Sequence, residues 1–194
     1  MSNYKTLPVR LVGTGATLIQ PERAAPTVRP NSPALTVMTD LSQVAPVMIE
    51  ASATMDAANQ TMIRFGVRLL FVTDRRGQLA GLITSTDILG EKPMRLVQQR
   101  GVKHSEILVE DLMTSLALFE AVSFDEVARA QVGDIAATLA QVGRQHLLAA
   151  EPGRGGAMAV RGIFSSSQIA RQLGTAISGS GAAASFSELV TRLG

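Results

Sequence analysis

Gly66, Asp74, Gly81, Thr84 and Asp87 recur as Gly143, Glu151, Gly162, Ser165 and Gln168. The offset grows from 77 to 81 along this series, so the second copy has a turn four residues longer. A period of this kind marks a chain built from two supersecondary units, neither of which buries its apolar face alone. The fold class expected is α+β: two β-α-β-β-α repeats packed sheet to sheet about a pseudo-two-fold axis.

In the first copy Leu69–Thr73 is an apolar run of strand length. Asp74-Arg75-Arg76-Gly77 is a polar turn closed by glycine, and Leu79–Ile83 is a second apolar run. Thr84, Ser85 and Thr86 then offer helix caps, with Asp87 as the acid of a first helical turn. In the second copy the strands are His146–Ala150 and Met158–Phe164, and a helix starts at Ser165. Polar groups collect at the strand-to-helix junction. Free N–H groups at a helix start, together with hydroxyls, suit phosphate. A carboxylate suits the two hydroxyls of a ribose instead.

The run Gly81-Leu82-Ile83-Thr84-Ser85-Thr86-Asp87-Ile88, preceded by a strand ending in Asp74, resembles the end of a CBS domain, the regulatory module named after cystathionine β-synthase. Thr84 and Asp87 fall on its two polar positions. Val109-Glu110-Asp111-Leu112-Met113-Thr114 resembles the opening of a second such domain, and Val37-Met38-Thr39-Asp40 the opening of the first. The resemblance implies an α/β-type CBS fold in tandem, a Bateman module over roughly residues 35–174. It implies that Asp87 binds ribose, that Thr84 sits near ribose or phosphate with Ser85 and Thr86 beside it, and that Arg68 contacts phosphate. In the second copy Ser165, Gln168 and Gln145 stand where Thr84, Asp87 and Arg68 stand in the first. Glutamine meets ribose without charge, at about 1 kcal/mol per hydrogen bond against roughly 1.5–3 for charge-assisted ones. A second site there is expected to be the weaker.

The expected organisation is a basic, proline-rich and poorly ordered arm over 1–34, CBS domains over 35–104 and 105–174, and a linker with a short helix over 175–194. Ser185-Phe186-Ser187-Glu188 spells a capping box for that helix. Within the first domain Val47–Glu50 reads as a strand. Ser52 or Thr54 caps a helix with Met55, Ala58, Met62 and Phe65 on one face, ended by Gly66. Pro93–Arg100 reads as a linking helix whose Lys92 and Arg95 are candidates to approach a phosphate. Leu116–Val122 and Phe124–Ala128 are strand candidates. Val132, Ile135, Ala136, Leu139 and Val142 form a helical stripe ended by Gly143.

The chain has no cysteine, so it has no disulfide framework, no thiol nucleophile and no cysteine metal site. His104 and His146 lie in different copies without an acid in triad or ligand spacing. No catalytic role, metal or required cofactor is expected. The net charge of +2 belongs to the arm, where Lys5, Arg10, Arg23 and Arg29 face one acid, Glu22. With a near-neutral remainder and 4% aromatic residues, no nucleic-acid partner is expected. No apolar run suits a membrane span or a signal peptide, so no membrane association and a cytoplasmic location are expected.

Two functions follow from these readings. In the first, the chain is a non-enzymatic sensor of an adenine nucleotide (AMP, ADP or ATP) or S-adenosylmethionine. It signals to a separate protein partner and, by the same resemblance, is a homodimer. In the second, it is a ligand-free scaffold or dimerisation module. Asp87 is then only a helix-start acid, worth roughly 0.3–1 kcal/mol.

Overall fold

The computed structural model describes residues 7–11, 14–17 and 28–174. The short helix expected from Ser185 lies outside these residues, as does much of the arm. In chain order, the first half contains β1 (Thr39–Asp40), β2 (Met48–Glu50), α1 (Met55–Phe65), β3 (Leu69–Thr73), β4 (Leu79–Thr84), α2 (Ser85–Leu89) and α3 (Lys92–Arg100). Next come α4 (Val109–Leu112), β5 (Thr114–Ser115), β6 (Ala121–Ser123), α5 (Phe124–Val127), α6 (Val132–Val142), β7 (His146–Pro152), β8 (Met158–Ser165) and α7 (Ser166–Gln172).

Local chemistry sets the helix ends. The Thr54 side chain accepts from Ala57 N at 3.2 Å and starts α1. Gly66 and Gly143 stop α1 and α6 with φ of 64° and 65°, a left-handed conformation that glycine adopts without strain. Helix α1 buries Met55, Ala58 and Met62, whereas Phe65 is 52% exposed. Phe65 lies only about 20° around the axis from Ala58, but it is the last residue of the helix, next to the Gly66 stop. Phe124–Ala128, a strand candidate by composition, is helical over Phe124–Val127. Asp125 and Glu126 sit in its first turn, and Val127 is its buried residue. The other candidate, Leu116–Val122, divides into a 3₁₀ turn over Leu116–Leu118 and the start of β6.

The strands form two four-stranded sheets, ordered β2-β3-β4-β5 and β6-β7-β8-β1. Each has a parallel pair and a hairpin, with a register shift at the same repeat position, Val72/Thr73 in one and Ala149/Ala150 in the other. Strand alternation then divides the core. Leu70, Val72 and Ile83 pack under the first unit's helices, and Leu147, Ala149 and Phe164 under the second's. Phe71 and Leu82 turn the other way and meet Leu148 and Ile163, joining the sheets face to face.

The edge strands are exchanged. β1 pairs with β8 of the second unit, and β5 pairs with β4 of the first. The segments before them follow suit. Gly133 N donates to Pro30 O at 2.8 Å and Val132 N to Ser32 O at 2.9 Å, while Met55 N donates to Ile107 O at 2.9 Å. Each strap therefore supplies acceptors to the otherwise orphan N–H groups at the start of the other unit's helix. Ala34 and Ile107 are fully buried in this way. The division at residue 104/105 follows the sequence period, and the hydrogen bonding crosses it twice.

An ion pair fastens one of these straps. Arg161 of β8 donates from Nε to Asp40 Oδ1 at 2.9 Å and from Nη1 to Glu151 Oε2 at 3.4 Å. The Arg161 hydrogen bond, followed by those from Ser42, holds the Asp40 carboxyl well below the usual carboxylate range. A group whose folded pKa lies below its unfolded value stabilises at neutral pH and loses that contribution as pH falls below about 4. The unfolding temperature should therefore drop on acidification below that point, and Asp40→Asn should flatten the drop. Parallel profiles for the two proteins would exclude the linkage.

Candidate functional site

The β4–α2 junction carries the expected polar cluster, and its hydrogen bonds are specific. Thr84 is the N-cap of α2, its Oγ1 accepting from Asp87 N at 3.3 Å. Asp87 answers with Oδ2, which accepts from Thr84 N at 2.8 Å and Thr84 Oγ1 at 2.6 Å. Its Oδ1 is ion-paired with Lys92 at the start of α3. Lys92 Nζ also lies 3.4 Å from the carbonyl oxygen of Leu112. Lys92, a candidate phosphate contact by sequence, is thus engaged with the carboxylate. At the start of α2 the Ser85 N–H donates to the carbonyl oxygen of Arg68 at 2.9 Å. Helix α2 has five residues, and the Asp87 N–H is bonded to Thr84 Oγ1.

Thr84, Thr86 and Asp87 line a cleft of about 200 Å³. Leu82 and Phe119 also line it, as does Thr114 of the exchanged strand β5. The facing wall comes from the second unit: Arg144, Gln145 and His146, where Gly143 has turned the chain from α6 into β7. Gln145 therefore shares a cleft with Asp87 rather than with Ser165 and Gln168, its expected companions. The reason is the face-to-face packing, which sets the helix-to-strand turn of one unit against the strand-to-helix turn of the other. Ser165 Oγ and Ser167 Oγ lie 3.0 Å apart, and Ser165 makes no side-chain cap hydrogen bond. Gln168 is half-buried on α7, and neither it nor Ser165 lines this cleft.

Arg68 and Ser85 also stand outside the cleft. Arg68 is exposed, and its Nε donates to Ser85 Oγ at 3.1 Å. Sequence reasoning missed Arg144 and His146, which become site residues only when the two units meet. Burial pushes His146 below its ordinary pKa, and the Asp87 charge partly opposes this. His146 is accordingly neutral at pH 7.

A larger cleft of about 450 Å³ lies elsewhere, lined in part by Asp40, Phe124 and Arg161. Its charged groups are already paired with one another, and the Arg161 guanidinium stacks 4.6 Å above the Phe124 ring. These groups fasten the strap. Among the described residues no cluster of His, Asp and Glu suits a metal ion, and no helix is long and apolar enough to cross a membrane.

Residues 36–93, which contain the Thr84/Asp87 junction, match the family model of the CBS domain. Residues 36–93 are a CBS domain. The second unit repeats its fold, and the whole has the architecture of a tandem CBS pair. An uncharacterized conserved protein from Pyrococcus horikoshii shares the fold at 21% identity and TM-score 0.53, covering 79% of this chain and 100% of its own. A conserved CBS domain protein from Thermoplasma acidophilum matches at 20% identity and TM-score 0.49, over 80% of this chain and 77% of its own. CBSX2, a CBS-pair protein from Arabidopsis thaliana solved in complex with AMP, matches at 21% identity and TM-score 0.48, over 72% and 94%. No curated protein matches this chain at a significant level.

Proposed function

We propose that this CBS pair is a non-enzymatic regulatory module whose Asp87 cleft binds an adenosyl ligand: AMP, ADP, ATP or S-adenosylmethionine. The observation that carries this reading is the pairing of Thr84 and Asp87 with a facing wall from the other unit. Asp87 accepts the ribose hydroxyls, while the half-buried Phe119 offers apolar surface to the base. A ligand spanning both walls favours the arrangement of units that brings them together, and its differential affinity sets how far the population shifts. The module acts as a cytoplasmic homodimer and passes occupancy to a separate protein partner.

One observation favours the scaffold reading instead. The Asp87 carboxylate is already engaged, by Thr84 through Oδ2 and by Lys92 through Oδ1. A structural cap needs nothing more. The deciding experiment is calorimetric titration of nucleotide-stripped protein with AMP, ATP and S-adenosylmethionine. Saturable heat from at least one supports the sensor. No heat from any of them, with the protein folded, leaves the scaffold.

A further inference from the structure

We infer that Arg144 makes the Asp87 cleft selective for an adenosine bearing an anionic 5′ group, a phosphorylated nucleoside, over one bearing a sulfonium. This rests on the adenosyl-ligand reading above and narrows it.

The argument is a balance of charge around one small space. Asp87 is the acid in the cleft wall, and Lys92 offsets its charge. Arg144 is the cation on the facing wall. Its guanidinium makes one hydrogen bond among the described residues, from Nη2 to the carbonyl oxygen of Leu118 at 3.2 Å. A guanidinium carries five N–H donors, so most of this one's donors remain for a ligand. No acid among the described residues is ion-paired with it. His146 beside it is neutral, so it neither adds a cation nor cancels one. The wall opposite Asp87 therefore carries a net positive charge.

A ligand with its ribose diol on Asp87 must place its 5′ substituent elsewhere in the same cleft. Arginine meets a phosphate with parallel, charge-assisted N–H···O bonds. A sulfonium in that place would set a cation against a cation, with no acceptor for the guanidinium. Arg68, which the sequence resemblance marks as the phosphate contact, donates to Ser85 instead and lines no part of this cleft.

The test compares AMP, adenosine and S-adenosylmethionine by calorimetry on the wild-type protein, Arg144→Gln and Arg144→Lys. The expected result is AMP tighter than both other ligands by about tenfold or more. Arg144→Gln should bring AMP down to the level of adenosine and leave adenosine unchanged, and Arg144→Lys should restore part of the gap. S-adenosylmethionine binding as tightly as AMP, or an AMP-to-adenosine ratio unaltered in Arg144→Gln, overturns the inference while leaving an adenosyl site in place. Absence of binding by all three to folded wild-type protein overturns the site and the inference together. Should Arg144→Gln fail to fold once its bond to Leu118 is lost, the wild-type ranking and Arg144→Lys decide.

Discussion

Asp87→Ala is expected to weaken binding of AMP by about 100-fold while lowering stability by only about 1 kcal/mol. The binding loss follows from two ribose hydroxyls donating to one carboxylate, one of them in the place Lys92 takes on Oδ1 in the unliganded protein, each bond contributing roughly 1.5–3 kcal/mol when charge-assisted. The lower end of that range already gives about two decades in affinity. The stability cost is small because the residue serves the fold only as the third residue of a cap. Thr84 Oγ1 still accepts the N–H of residue 87, and Lys92, half exposed, returns to water. A calorimetric titration and a denaturant melt on the same preparation measure both. Unchanged affinity would remove Asp87 from the site. A loss of several kcal/mol in stability would make it chiefly a structural residue.

Gly81→Ala is expected to destabilise the protein by about 3 kcal/mol, and Gly162→Ala by about 1 kcal/mol, although the two glycines are repeat equivalents. The difference comes from what each faces. A Cβ on Gly81 would lie 2.3 Å from the backbone oxygen of Thr114, in the exchanged strand β5. Backbone held in a ladder has nowhere to go, so β5 must lift from β4. A Cβ on Gly162 meets the sulfur of Met38 at 2.5 Å, the far end of a flexible side chain that can turn away. Equal effects in urea melts, or a neutral Gly81→Ala, would contradict the exchange of β5.

The repeat was legible because the apolar runs and the punctuating glycines are local. Leu69–Thr73 and Leu79–Ile83 became the hairpin, Thr54 the cap, and Gly66 and Gly143 the helix ends, each for the reason its sequence gives. The register shift at Val72 and at Ala149 shows that the repeat alignment holds through the strands. The strand exchange was not legible. β1 and β5 have two residues each, too few for any period, and their partners lie far away in the chain. The cleft was half legible for a related reason. Thr84 and Asp87 are three residues apart and find each other through a cap, but Arg144 and His146 reach them only across the sheet-to-sheet contact of Phe71, Leu82, Leu148 and Ile163. Lys92 reads in the sequence as a candidate phosphate contact, and only the turn from α2 into α3 brings it to Asp87.

The central claim is that one ligand site is built from both repeat units. Amide chemical shifts of isotope-labelled protein, recorded with and without saturating AMP, test this most directly. The account predicts simultaneous perturbation at 82–87 in the first unit and at 144–146 in the second, with the strap at 38–44 quiet. Perturbation confined to one unit, or centred on Asp40 and Arg161 at the larger cleft, would contradict it.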